Sequence, residues 1–392
     1  MRRTHGIIVE TRAQAVPNLA ATGEYREIDQ RAVESFSGST PPFDNQRRPW
    51  SANVELTQTL YSGGRVRAAL RAAKLSDQIA VLNYNAAVAD VVLQVRRAFY
   101  EILLNTQLVT VREESLKLLE QQLADVKHRF DVGAVPQFNV LRAEVEVANA
   151  KPPLIRARNA LRINKVQLGR LLAYSGDGTT RDTDFRFAGE LTSDYREWQL
   201  PPALTAAVAH RPELQIAEKQ AALRRQNVTV ARAGYFPEIS AFAGYGIRDT
   251  TFSDQIDDTV HGWNAGARAR WNIFDGLATR GKVEQARAEF SQAELDYADT
   301  RRGIELEVRQ AFYDYQQALE LLDAQRKTVE QATESLRLAE ARFRAGSGTQ
   351  LDVLSARTAH TDASSNEVQA LFEYNVALAT LERATGTTVK AE

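Results

Sequence analysis

The chain has 392 residues, of which 44% are hydrophobic and 25% charged, so it is not a disordered polymer, and its formal charge of -1 argues against a nucleic-acid partner. It has no cysteine, which excludes disulfides and thiolate metal sites, and its single methionine is Met1, which excludes a methionine metal relay. No run approaches the ~18 to 20 apolar residues that a membrane-spanning helix needs.

The amino terminus begins with the charged Met1-Arg2-Arg3, but the apolar stretch at 6–9 is too short for the core of a secretory leader. An internal duplication offers a reason. Arg12-Ala13, Pro17 and Tyr25 match Arg232-Ala233, Pro237 and Tyr245 at an offset of 220. Further on the offset becomes 213: Leu60-Tyr61-Ser62-Gly63 faces Ile273-Phe274-Asp275-Gly276, and Arg129-Phe130 with Gly133 faces Arg342-Phe343 with Gly346. The second copy is preceded by a helical segment opening at His210-Arg211-Pro212-Glu213-Leu214, and Met1 falls opposite Ala221, partway through it. The first copy therefore reads as lacking its opening helix, and the expectation is a shortened reading frame with any leader upstream.

In chain order, the pattern predicts a first repeat over 1–172: strands at 18–28 and 51–62, a long helix at 63–131 and a second helix at 137–172. A linker rich in Gly, Asp, Thr and Pro covers 173–203. The second repeat, 204–386, is predicted as a helix at 204–235, strands at 238–248 and 262–274, a long helix at 276–344 and a helix at 350–385. No proline or glycine interrupts 65–132, a span of about 100 Å as a helix. Ile102, Val109, Leu116, Leu123 and Phe130 recur every seven residues, with Leu119 and Val126 between, and Tyr315, Leu322, Val329, Leu336 and Phe343 repeat this with Ala332 and Ala339. A sustained 3.5-residue period means coiled-coil packing. Pro152-Pro153 is expected to kink the helix that contains it.

The strands alternate. Trp263, Ala265, Ala267, Ala269, Trp271 and Ile273 form one face of their segment, and Asn264, Gly266, Arg268, Arg270 and Asn272 the other. Ile239, Ala241, Ala243, Tyr245 and Ile247 form a similar face, as do Val54, Leu56 and Leu60, where Gln58 breaks the pattern. Period-two alternation with aromatics near the ends marks membrane barrel strands. Four strands cannot close a barrel, and open edges are not tolerated in lipid, so several chains must share one; three would supply twelve strands.

The order and duplication of these motifs, with Gln350-Leu351-Asp352-Val353-Leu354 after the second turn, resemble the TolC outer-membrane efflux family over almost the whole chain. The resemblance implies a mainly α fold with internal duplication. Long antiparallel coiled-coil hairpins would form a periplasmic α-barrel, below a twelve-stranded outer-membrane β-barrel in a homotrimer. It also implies a passive channel that exports small molecules or proteins with a periplasmic adaptor and an inner-membrane pump. The turns at Val132, Gly133, Ala134 and at Gly346, Ser347 would be adaptor-docking tips. Asp352 would belong to a constriction ring, while Ser355 and Gly348 stand where relatives can carry an acid and a base, so the gate is expected to be less charged. Arg268 and Arg270 are candidates to line the barrel lumen.

The bland readings are that Asp352 caps a helix, the glycines are C-caps, and the arginines are solvated polar positions. The five histidines show no ligand spacing, no phosphate-binding glycine loop exists, and no catalytic constellation is present, so no cofactor, metal or enzymatic activity is expected. The competing class is a soluble coiled-coil scaffold without a pore, which explains the heptads but not four alternating strands in matching positions.

Overall fold

The computed structural model describes residues 2–29, 49–174, 187, 189–193, 195–249 and 259–387. The chain runs α1 (Arg2–Ala13), β1 (Asn18–Tyr25), β2 (Trp50–Ser62), α2 (Arg65–Asp131), α3 (Gln137–Leu171), α4 (Leu200–His210), α5 (Pro212–Arg232), a 3-10 turn, β3 (Glu238–Asp249), β4 (Thr259–Arg270), α6 (Ala278–Arg344) and α7 (Gln350–Ala384). The duplication is exact in helix length: α2 and α6 have 67 residues each, α3 and α7 have 35 each. Two compact units result, 1–84 with 213–300, and 85–212 with 301–392.

The first unit holds one antiparallel sheet in the order β1-β2-β3-β4. Its central pairing, β2 with β3, joins the two repeats. The loop that carries the seven-residue change in offset lies mostly outside the described residues, as does part of the 173–203 linker.

Several boundaries differ from the sequence reading: β4 begins at Thr259 rather than 262 and α4 at Leu200 rather than 204, and others shift for local reasons. β1 ends at Tyr25: beyond its pair with Trp50 the Arg26 N–H still reaches the Pro49 carbonyl at 3.0 Å, but Pro49 has no N–H to return the bond. β4 stops at Arg270 rather than 274. Its last partner is Glu238, and the residue before that is Pro237, which has no N–H to continue the ladder. Trp271 instead donates its indole N–H to the Tyr235 carbonyl at 3.1 Å. The long helices begin at Arg65 and Ala278, two residues later than expected. Gly63 and Gly64 take φ of +60° and +87°, Gly276 and Leu277 +67° and +70°, and these left-handed pairs cannot belong to a right-handed helix. The segment expected as one helix over 204–235 is two: Arg211, which precedes Pro212, is extended (φ -68°, ψ 117°) and breaks it. By contrast α3 passes through Pro152 and Pro153 as a single element.

In the second unit the heptad reading becomes a packed seam. Ile304, Val308, Ala311, Tyr315, Ala318 and Leu322 are all buried at alternating spacings of four and three. On α2, Ile102 and Val126 are buried, while Phe130 near the tip is exposed. Leu103, Leu104, Leu191 and Val368 form one apolar cluster, and Ala98, Ile102 and Leu168 another. The buried Arg211 fixes the α4–α5 corner. It donates to both carboxylate oxygens of Glu307 at 2.7 and 3.0 Å and to the carbonyl of Ala384, the last residue of α7, at 3.3 Å. Arg383 joins the same carboxylate to Asp90.

Candidate channel wall and helix tips

Register assigns every strand residue to a face, because directly opposed residues in an antiparallel ladder point the same way. One face carries Leu19, Ala21 and Tyr25 from β1, Trp50, Ala52, Val54 and Leu56 from β2, Ile239, Ala241, Ala243, Tyr245 and Ile247 from β3, and Trp263, Ala265, Ala267 and Ala269 from β4. It is apolar along most of the four strands, with the polar Asp249, Thr259 and His261 at the loop end of β3 and β4, and it is open: Trp263 is 80% exposed and Leu19 67%. Gln58 lies on this face but directs its amide to the carbonyls of Ala15 and Thr59. Leu60 departs from the sequence reading. The register shifts between Thr59 and Tyr61, so Tyr61 pairs with Ile239 and Leu60 is the extra residue of a bulge.

The opposite face carries Asn53, Glu55, Thr57, Glu238, Ser240, Arg248, Asn264, Arg268 and Arg270. Arg268 lies over the Phe242 ring at 5.2 Å, and Glu238 pairs with Arg65 at 2.5 Å. Both candidate lumen arginines therefore share the polar face. Among the described residues the edges of the sheet, β1 and β4, have no outer neighbour.

At the other functional position, two turns reverse the long helices. Gly133 and Gly346 adopt φ of +74° and +75°. Around them the Gly133 N–H reaches the Phe130 carbonyl and the Ala134 N–H the Arg129 carbonyl, both at 2.8 Å; Gly346 and Ser347 repeat this with Phe343 and Arg342. These are paired Schellman C-caps, which require the left-handed residue. A Cβ on either glycine would meet nothing within 4 Å, and Val132 is 67% exposed, so both turns face open space.

After the second turn, Thr349 and Asp352 form a capping box. The Asp352 N–H donates to Thr349 Oγ1 at 3.2 Å, and Asp352 Oδ2 accepts from the Thr349 N–H at 2.9 Å and its hydroxyl at 2.8 Å. The Thr349 backbone bond, then its hydroxyl, then Arg342 hold the Asp352 carboxyl below its ordinary range, so it is ionised. Ser355 is exposed one turn on. Gly348 is pressed against its surroundings: a Cβ there would lie 3.2 Å from both Arg342 Cβ and Phe343 N. The first turn has no such box, since Pro136 occupies the N-cap of α3 with no side-chain bond.

Sequence reasoning missed an ion pair beside each tip. Lys127 and Glu144 pair at 2.8 Å between α2 and α3, and at the same offset of 213 Glu340 and Arg357 pair at 2.8 Å between α6 and α7, with the charges exchanged. The available signal was a lone arginine at an inward position of α7, between the buried Val353-Leu354 and Thr361.

Among the described residues no helix is long and apolar enough to cross a membrane, and no group of His, Cys, Asp or Glu could hold a metal ion. A sheet largely apolar on one face and polar on the other, with no outer partner at β1 or β4 among the described residues, joined to long coiled-coil hairpins, points to the class of outer-membrane channel proteins. The sequence pattern of the family described as outer membrane efflux protein matches residues 3–173 and 203–387, and the chain belongs to that family, one of channels and not of enzymes. It is 24% identical over 354 residues to outer membrane protein TolC of Salmonella enteritidis, covering 86% of this chain and 69% of that protein. It is also 24% identical over 341 residues to outer membrane protein TolC of Vibrio cholerae, covering 86% and 76%. The crystal structure of outer membrane protein VceC from Vibrio cholerae shares the fold with a TM-score of 0.79 at 19% identity, covering 98% of this chain and 90% of that one.

Proposed function

We propose that the chain is one protomer of a homotrimeric outer-membrane channel that passively exports small molecules or proteins, with its helices in the periplasm, where an adaptor joins it to an energised inner-membrane pump. The observation that carries this reading is the four-stranded sheet, largely apolar on one face, polar on the other and, among the described residues, without an outer partner at β1 or β4. Each unpaired backbone group would cost several kcal/mol in lipid, so the edges must find partners there. Three copies give twelve strands in one closed wall, with the Trp263 face against lipid and the Arg268 and Arg270 face on the lumen.

At the helix turns, Val132, Gly133, Ala134, Gly346 and Ser347 form the adaptor-docking tips, and the ionised Asp352 contributes to a ring at the pore entrance. Ser355 adds no charge to that ring. Gly348 carries no side chain, so no ion pair from that position closes it.

The test is purification followed by planar-bilayer recording. A detergent-dependent trimer with discrete conductance steps is expected, and Asp352→Ala should raise conductance or lessen block by multivalent cations. A protein that stays monodisperse in buffer without detergent and never conducts would instead be a scaffold. Unchanged conductance and block in Asp352→Ala would remove that residue from the ring. A bulky residue at Gly346 with adaptor crosslinking intact would remove the tip from docking.

A further inference from the structure

We infer that Arg357 is a positioning residue for the pore entrance: it ties the second hairpin to the first and so holds Asp352, five residues away on α7, in its resting place. The inference rests on the channel reading. The Arg357 side chain is 10% exposed and reaches two helices at once. Nη2 donates to Glu340 Oε1 on α6 at 2.8 Å, within its own hairpin. Nη1 crosses to α2 of the other hairpin, donating to Gln122 Oε1 at 2.9 Å and to the Leu118 carbonyl at 3.3 Å. Its Nε is buried with no partner among the described residues. Four residues further along α7, Thr361 continues the contact by donating to Ser115 Oγ at 3.3 Å.

A buried guanidinium is tolerated only while its partners stay in place, because stranding the charge costs far more than the pair contributes. Any movement of the start of α7 away from α2 breaks the bonds to Gln122 and Leu118 and leaves the cation held by Glu340 alone. The geometry thus penalises displacement of Asp352. Lysine has one ammonium in place of the planar fork and cannot reach both helices in the same way.

The first hairpin has the ion pair without this reach. Glu144 and Lys127 are 43% and 50% exposed, and both belong to that hairpin. A carboxylate at 144 has no proton to donate to a backbone carbonyl of the facing helix. The exchange of charges between the repeats therefore gives only the second hairpin a donor that crosses.

The test compares wild type, Arg357→Met, Arg357→Lys and Gln122→Leu by single-channel recording of the inserted trimers. Methionine removes the charge and keeps an unbranched side chain, so no ion is left buried. Arg357→Met should raise the open probability about tenfold, the scale set by losing a hydrogen bond to a charged group. Lysine should restore part of the wild-type value, and Gln122→Leu should shift it in the same direction as methionine by a smaller factor. Wild-type open probability in both Arg357→Met and Gln122→Leu, with only the melting temperature changed, would overturn the positioning role. If Arg357→Met does not assemble, Gln122→Leu alone decides, since it leaves the ion pair intact. A wild-type trimer that inserts and never conducts would overturn the channel reading itself.

Discussion

The two helical hairpins are copies in length and in the backbone of their turns, yet they are secured by different chemistry. α2–α3 and α6–α7 match residue for residue in extent and reverse through the same C-cap at Gly133 and Gly346. At the start of the second helix they diverge. The first has an uncapped Pro136 and an exposed pair, Lys127 with Glu144. The second has the Thr349–Asp352 box and a buried arginine bound to both neighbours. Duplication preserved what the backbone requires and left side-chain anchoring free to differ. The second hairpin is the more tightly specified of the two.

The sharpest way to break this comparison is to remove the carboxylate of each pair. Glu340→Ala leaves Arg357 buried without its counter-ion; because Glu340 is 39% exposed, the loss should fall toward the lower end of the range for buried pairs, about 2 to 3 kcal/mol. Glu144→Ala strands only a half-exposed lysine and should cost about 0 to 1 kcal/mol. Thermal unfolding of the detergent-solubilised protein, followed by the helical signal at 222 nm, would check both. Equal losses would mean that the hairpins are held alike.

Exchanging the charges sharpens it further. Lys127→Glu with Glu144→Lys should be neutral to within about 1 kcal/mol, since the pair is half-exposed and the swap restores opposite charges. Glu340→Lys with Arg357→Glu restores opposite charges but cannot donate to the Leu118 carbonyl, and should lose about 2 kcal/mol in the same melting experiment.

A third contrast lies at the far ends of the same helices. α3 and α7 both finish in a Schellman turn, with Ala173 (φ +51°) and Gly386 (φ +73°) in the left-handed position. Gly386→Ala should destabilise by about 1 to 2 kcal/mol, because its Cβ would also sit 3.0 Å from His210 Cβ. Ala173→Gly should stabilise by up to about 1 kcal/mol by relieving the Cβ clash. Melting temperatures moving in opposite directions are the expected result.

These contrasts also mark how far the sequence could be read. Periodicity is a one-dimensional property, so the long helices, the alternating strands and the repeat were legible from residues such as Ile304 to Leu322 and Trp263 to Ala269. Left-handed pairs such as Gly276-Leu277 were not, because Leu277 carries no signal that it would leave the helical region. The bulge at Leu60 was hidden for a related reason: a one-residue register shift is set by the partner strand. Cross-hairpin bonds such as Arg357 to Gln122 join residues 235 positions apart, and nothing local announces the acceptor. Asp352 was legible as a helix-start acid. The bond that holds it ionised follows from Thr349 three residues before it.

The smallest contrast is the cap itself. Thr349→Ala should cost about 1 kcal/mol, whereas Pro136→Ser should add a few tenths by supplying the oxygen that α3 lacks. Protonation gives a reversible version of the same test. Asp352 is more acidic in the folded chain than an ordinary carboxyl, so its contribution is complete above the unfolded carboxyl range and is lost as pH falls through the folded value. The residue at the matching position of the first hairpin is Asn139, which does not titrate. Between about pH 5 and 2.5, Asp352→Asn should therefore show a shallower fall in melting temperature than wild type. Asn139→Asp should not reproduce the wild-type slope, because Pro136 offers neither an N–H nor a hydroxyl to the new carboxylate. If it did, the acid alone and not the box would account for the difference between the two tips.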